Sequence, residues 1–295
     1  MGRKKLTVLL TGSGGYIGKN VLTQLSDSYN FLAPRSKELD LTEDTAVSKF
    51  FQEHSIDVVI HGAVVGGSRK EEAQKDALKT NLRIFMNIMR NAGRYSKLVH
   101  LGSGAEYDKR LPMVDISEDE FDRSIPNDDY GFYKYLCSKY VTNTPNSVNL
   151  RIFGIFGKYE DYRLRFISNA ICRNILGLPI TINQNVVFDY VYVNDFVKII
   201  DYFIQNDTKE KQYNIATGKK IDLATIAGII NEISGKPSEI IIKNPGMNNE
   251  YTANADKLKK ELGNFSFTPF KKSVSELYIW YREHMNELTI TKEIL

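Results

Sequence analysis

In "DDYGFYKYLCSK" (128–139) a tyrosine stands four residues ahead of a lysine, Tyr130 before Lys134, a spacing suited to moving a proton. Residues four apart share a helix face, so these two are neighbours, whereas Tyr133 points about a quarter-turn away and pairs with Cys137 on a packing face. A phenol with a pKa near ~10 is a poor acid or base at neutral pH, but an adjacent ammonium favours the phenolate and makes it a usable proton-transfer group. A third group would fix the reacting oxygen. Ser103, directly after the strand-like KLVHLG (97–102), is the natural candidate.

The stretch TGSGGYIG (11–18) follows one apolar run and opens a helical one, the context in which a glycine loop binds a dinucleotide. Gly12 permits the sharp turn, Gly14 or Gly15 lets the backbone approach a pyrophosphate, and Gly18 allows close helix packing. The helix N-terminus offers unpaired N–H donors to the anion. A nicotinamide cation beside Tyr130 would add to the pull of Lys134 on the phenol. NAD-binding units place an acidic residue at the end of the second strand, where this chain has Arg35 and Ser36 in "APRSKELD". A guanidinium and a hydroxyl suit a 2′-phosphate, so NADP(H) is favoured over NAD(H).

The elements that must position these residues alternate. KLTVLL (5–10), NFLAP, DVVIHGA (57–63) and KLVHLG predict strands. Between them lie helical patterns from about Gly15 to Ser26, over EDTAVSKFFQEH, and over KEEAQKDALKTNLRIFMNIMRNAG, with Gly93 as a stop. VDISEDEFDRSIPNDD reads as an acidic loop before the Tyr130 helix, and VNLRIFGIFG (148–157) as one more strand. The alternation predicts an α/β fold, a parallel sheet covered on both faces, with a smaller C-terminal domain laid over its carboxyl edge. The expected division is 1–154 for the dinucleotide domain and 155–295 mainly for substrate, with 186–216 returning to the first.

With 295 residues, 42% hydrophobic and 25% charged, the chain is long enough for a large core. Its net charge of +3 is scattered rather than gathered into a basic block, which argues against nucleic acid. Cys137 and Cys172 form neither a disulfide framework nor a zinc signature, so buried free thiols and no metal are expected. The basic start MGRKK leads into a short apolar run without a cleavage pattern, and no stretch nears the ~20 residues of a membrane span. A cytoplasmic protein with no membrane partner is expected. Apolar "LRIFMNIM" and the Tyr130 helix predict a homodimer.

Together these motifs resemble the extended short-chain dehydrogenase/reductase family, the branch of nucleotide-sugar epimerases and dehydratases. The likeness runs through TGSGGYIG, VVIHGA, Asn81 in "KTNL", LGSGAEY with Ser103 and Tyr107, and Tyr130 to Lys134. It continues through "LRIFGIFG", "FDYVYVNDF", "YNIATGKKIDL" and "NADKLKKELG". "SKELDLTED" and "AVVGG" are most similar to the GDP-fucose synthase and sugar-nucleotide 4-ketoreductase branch. The resemblance implies a Rossmann-type doubly wound parallel sheet with a smaller C-terminal substrate-binding domain, and Ser103, Tyr130 and Lys134 as catalytic residues. It implies a cofactor held by the glycine loop with Tyr16 and Ile17, by Asp40 and Leu41 along the adenine, and by Gly62, Ala63, Asn81, Tyr130 and Lys134. The substrate positions it implies are Ala105, Glu106, Gly154 and Phe188, with Arg163, Arg165 and Lys243 as candidate cations.

Departures from the family narrow the chemistry. The 4,6-dehydratases carry an acidic pair after the catalytic Ser or Thr, where this chain has Gly104 and Ala105. GDP-fucose synthase epimerises with a cysteine and a histidine, but Ala105 fills the cysteine position and no histidine lies between His100 and His284. Gly154 replaces the usual Asn of "NxYG", and Phe188 replaces the Arg before Asp189. What remains supports NADPH-dependent reduction of a keto group on a nucleotide-activated sugar, most simply a 4-keto-6-deoxyhexose. The alternatives are a 4-epimerase that retains NAD⁺ and a non-catalytic dinucleotide-binding protein.

Overall fold

The computed structural model describes residues 5–66, 76–293 and 295 of the chain. The first strands and helices are β1 (Thr7–Thr11), α1 (Tyr16–Leu25), β2 (Asn30–Leu32), α2 (Asp44–Glu53), β3 (Val58–His61), α3 (Ala77–Met89) and β4 (Lys97–Ser103). There follow β5 (Met113–Ile116), α4 (Asp129–Thr142), β6 (Ser147–Ile152), β7 (Gly154–Phe156), α5 (Phe166–Ile175), β8 (Ile180–Asn185) and β9 (Val187–Tyr192). The last are α6 (Val193–Gln205), β10 (Gln212–Ile215), β11 (Lys220–Asp222), α7 (Leu223–Ser234), β12 (Ile240–Met247), β13 (Tyr251–Ala253), α8 (Asp256–Leu262) and α9 (Phe270–His284). The expected helix over 70–93 is described from Ala77; its residues 70–75, and Gly67 of "AVVGG", lie outside the described residues.

Six strands form one parallel sheet in the order β10-β6-β4-β3-β1-β2, the doubly wound arrangement expected. Successive side chains of a strand point to opposite faces, and here both faces are covered, so apolar side chains are buried on both sides of the sheet. Val8 and Leu10 join Val21 of α1 and Phe196 and Ile200 of α6 in one core. Leu9 joins Val47 of α2, Phe85 of α3 and Tyr133 of α4 in the other.

The remaining strands make a second sheet, β11-β9-β13-β5 with β7 beside β9, and a two-stranded parallel pair, β12-β8. A further core forms where α5, α7 and α9 meet β8 and β9, around Ile171, Ile226 and Leu277. Two sequence expectations change here. VNLRIFGIFG is two strands, because β6 pairs with β4 while β7 pairs with β9. Part of the acidic loop is a strand, β5, because β13 lies parallel to it. Within 186–216, β10 pairs in the large sheet and β9 in the second. Both cysteines are buried and free. Among the described residues no helix is long and apolar enough to cross a membrane.

The first helix meets the third core through Tyr16, whose hydroxyl is buried there without a partner. Nearby Glu160 is buried too, accepting a hydrogen bond from Ser168 Oγ. Burial raises its carboxyl to about 8, against the opposing Ser168 hydrogen bond and Arg165 charge. The folded protein therefore keeps a proton that the unfolded chain releases near 4.5, so Glu160 makes stability fall as pH rises from about 4.5 to about 8, and no further above. Glu160→Gln is expected to remove that slope, raising Tm more near pH ~8 than near pH ~5 in thermal denaturation followed by circular dichroism. An unchanged slope would exclude Glu160 as its source.

Candidate active site at the carboxyl edge of the parallel sheet

Parallel strands all end at one edge, and the connections that leave them there carry the chemistry. The loop after β1 holds Gly12, the loop after β2 holds Arg35, β3 leads to Gly62 and Ala63, and β4 ends on Ser103. Thr11 ties two of these loops together, its Oγ1 accepting from Gly62 N (3.2 Å) and Ala63 N (3.3 Å) and meeting His61 Nδ1 at 2.8 Å.

The glycines are explained by close approach. Gly12 has φ +77°, and a Cβ on it would sit 2.8 Å from the Gly62 carbonyl carbon. A Cβ on Gly18 would lie 2.4 Å from Gly12 O and 2.7 Å from Ser13 Cα, so α1 can start this close to the loop only with glycine there. Gly15 precedes α1 and donates its N–H to Gly12 O (3.0 Å). The free N–H groups of the first turn face the loop. A Cβ on Gly14 would meet Arg35 Nη1 at 2.2 Å, so the exposed guanidinium lies over the glycine loop. A backbone cradle without side chains, a helix N-terminus and a neighbouring cation together fit a dinucleotide phosphate.

Several expected cofactor residues serve the fold with their side chains. Tyr16 and Ile17 are half-buried and pack against two of the cores. Asn81 is buried and exchanges hydrogen bonds with Val65, Nδ2 to Val65 O (2.9 Å) and Val65 N to Oδ1 (2.8 Å); it holds the loop after β3. Asp40 is exposed but accepts from Thr42 N and Oγ1, which lower its pKa, while Leu41 O accepts from Asn87 Nδ2. Ser36 is exposed beside Arg35.

Helix α4 starts on Asp128, whose carboxylate caps Gly131 N (2.9 Å). Tyr130, in the first turn, is half-buried; Lys134, one turn on, is buried and donates to Leu101 O of β4 (2.7 Å). Tyr133 is fully buried with Cys137, though the lysine stem folds so that Nζ lies 5.2 Å from the Tyr133 ring centre. Below Lys134 lie His61 and His100, ring centres 5.5 Å apart. Burial, then the charge of Lys134, keeps both neutral, with His61 lowered to about 3. Ser103 is half-buried at the end of β4, where its Oγ accepts from Ala105 N (3.1 Å), leaving its O–H to donate outward.

The residues expected near the substrate take different places. Glu106 faces inward: its side chain is 0% exposed and pairs with Arg151 at 2.5 Å, so it cannot contact a substrate. Gly154 is a backbone contact, since a Cβ would lie 2.4 Å from Asp189 O and the β7–β9 pairing would break. Arg163 is exposed and paired with Asp161 (2.9 Å). Arg165 is exposed at the start of α5, and Lys243 is exposed on β12, which pairs only with β8. Ala105 is buried in the turn after Ser103.

Phe188, by contrast, stands in an aromatic wall that the sequence did not show, with Tyr190 (5.3 Å between ring centres), Tyr251 (6.0 Å) and, beyond Tyr251, Phe153 (5.1 Å). A Cβ on Gly104 would collide with Tyr251 Oη at 2.3 Å and the Phe153 ring at 2.9 Å, so the wall comes up to the residue after Ser103. An acidic side chain has no room at 104. Tyr251 comes from β13, far along the chain, and no local pattern marks it. Gly102 offered a readable signal, since a glycine inside a strand marks a close approach; here the Glu106 carboxylate occupies the space of its Cβ, at 2.3 Å. Among the described residues no cluster could hold a metal.

Residues 8–216 match the NAD dependent epimerase/dehydratase family, and the chain belongs to it. The GDP-L-colitose synthase of Yersinia pseudotuberculosis is 25% identical over 255 residues, covering 78% of this chain and 82% of that protein. Among solved structures, the GDP-mannoheptose C4 reductase from Campylobacter jejuni with NADP bound superposes with a TM-score of 0.81 at 21% identity, over 95% of this chain and 100% of that one. The UDP-glucose 4-epimerase of Thermotoga maritima does so with a TM-score of 0.81 at 20% identity, over 95% and 100%.

The two glycine environments predict opposite outcomes. Gly14→Ala displaces only the end of a flexible arginine and is expected to cost under ~0.5 kcal/mol. Gly18→Ala meets backbone that cannot yield, at roughly 1–3 kcal/mol, and should weaken dinucleotide binding. Urea unfolding of both variants checks the contrast; equal stabilities would refute it.

Proposed function

We propose that this member of the epimerase/dehydratase family is an NADPH-dependent reductase of a keto group on a nucleoside-diphosphate sugar, most simply a 4-keto-6-deoxyhexose. The observation that carries the reading is the convergence of Ser103 and the Tyr130–Lys134 helix on the sheet edge that bears the glycine loop, with no acidic or thiol side chain at the two positions directly after Ser103. A bound nicotinamide supplies the hydride. Tyr130 gives its phenolic proton to the carbonyl oxygen as charge develops there, Ser103 hydrogen-bonds the same oxygen, and the ammonium of Lys134 favours the negative charge left on the phenol. With Gly104 and Ala105 in place of acids, and Glu106 buried against Arg151, the turn after Ser103 offers no acid and base for elimination of water.

Arg35 over the glycine loop supports NADP(H), as does the NADP bound in the heptose reductase to which the fold is similar. The wall of Phe153, Phe188, Tyr190 and Tyr251 supports a sugar with an apolar edge, such as the methyl of a 6-deoxyhexose, and the similarity to a GDP-L-colitose synthase agrees. A 4-epimerase that retains NAD⁺ uses the same three residues, and the likeness to UDP-glucose 4-epimerase favours it as the second reading. The two separate on purification: the epimerase turns over without added cofactor, whereas the reductase consumes NADPH stoichiometrically.

Tyr130→Phe is expected to lower kcat by about 10²- to 10⁴-fold in an NADPH oxidation assay with GDP- and dTDP-linked 4-keto-6-deoxyhexoses, with NADPH affinity unchanged. Full turnover in that variant would sink the assignment. Arg35→Ala is expected to raise the KM for NADPH by about tenfold or more and leave that for NADH unchanged, since a charged hydrogen bond contributes about 1.5–3 kcal/mol. Equal effects on both cofactors would remove Arg35 from the 2′-phosphate site.

A further inference from the structure

Beneath the reacting groups lies a buried ion pair whose atoms reach both halves of the site. Glu106 Oε1 accepts from Ser103 N (2.9 Å), and Ser103 Oγ accepts from Ala105 N (3.1 Å), so the carboxylate and the serine lock one short turn, Gly104–Glu106. Glu106 Oε2 accepts from Arg151 Nε (2.5 Å) and Asn149 Nδ2 (2.9 Å), both on β6. On its other side Arg151 Nη2 donates to Gln212 Oε1 (2.5 Å) and to Ser138 Oγ (2.9 Å), and Asn149 Nδ2 reaches the same Ser138 oxygen (2.9 Å). Ser138 is on α4, one turn beyond Lys134 and on the same face. The Arg151 guanidinium cannot swing away, because it lies 4.1 Å from the Phe121 ring centre and 5.2 Å from that of Tyr107.

Stability alone does not account for these charges. Both side chains are 0% exposed, and a buried ion pair is replaced by apolar residues of similar volume at little or no loss of stability. What apolar residues cannot do is fix direction: an ion pair with this many hydrogen bonds admits one arrangement of the turn, the strand and the helix. Gly102, with no Cβ to block the carboxylate, leaves the space for it.

We propose that Glu106 and Arg151 are positioning residues, acting through the Ser103 turn and through Ser138 to set the distance between the serine hydroxyl and the helix that carries Tyr130 and Lys134. The Lys134 bond to Leu101 O is the second anchor of that helix on β4, two residues before Ser103. The proposal rests on the catalytic roles given above to Ser103, Tyr130 and Lys134.

The test is the apolar double variant Glu106→Leu/Arg151→Met in the full chain. It is expected to keep the wild-type Tm and NADPH affinity while kcat falls about 10- to 100-fold with little change in the KM of a GDP-linked 4-keto-6-deoxyhexose, the signature of a misplaced group rather than a lost fold. A stable double variant with wild-type kcat overturns the proposal. Should the double variant not fold, Ser138→Ala decides, since it leaves the ion pair but cuts its tie to α4: kcat is expected to fall several-fold, and an unchanged kcat overturns the proposal. Amide hydrogen exchange at Ser103 and Ala105 reads the same device without turnover. Faster exchange in Ser138→Ala, which keeps the Glu106 acceptor of Ser103 N, supports it and wild-type protection there refutes it, even if the wild-type protein reduces no keto sugar and the catalytic reading fails.

Discussion

Six strands running the same way must all end at the same edge, and that constraint organises this molecule. A parallel sheet returns the chain through helices on its faces, so the loops leaving the strands collect at one side, where their backbone groups have no ladder partner. The glycine loop, Arg35, the 62–66 loop, Ser103 and the start of α4 come from separate parts of the sequence and meet there. None needs a special fold of its own, because direction alone brings them together.

The same sheet carries an unusual amount of buried polarity under α3 and α4. Thr11, His61, His100 and Asn149 lie side by side on neighbouring strands, in register from β1 to β6, all nearly inaccessible. Polar groups in such a place are costly unless bonded, and two of the four are put to use. Thr11 ties two cofactor-side loops, and Asn149 supports Glu106. The two imidazoles stay neutral, because a second positive charge under Lys134 would be both desolvated and repelled.

On the substrate side the decisive feature is steric. The second sheet brings Tyr251 and Phe188 together in register and sets the tyrosine hydroxyl against Gly104. The residue after Ser103 is thus small for a reason that lies far along the chain. An aromatic hydroxyl stands where a carboxyl side chain at 104 would reach.

The sequence by itself determined what depends on near neighbours: strand alternating with helix, the glycine spacing at 12, 14, 15 and 18, and the Tyr130–Lys134 face of one helix, because periodicity and turn geometry are local properties. Family membership follows from those motifs in their order. Only the tertiary structure decided the rest. Glu106 was legible as a residue beside Ser103 but not as one turned inward, since its direction depends on Arg151 and Asn149 from another strand. "LRIFGIFG" carries the apolar character of a strand throughout, yet its halves join different sheets, because pairing is chosen by partners that a period-two pattern does not name. Gly154 and Gly104 likewise look like absent ligands in the sequence, and are places where a distant backbone or ring leaves no volume for a side chain.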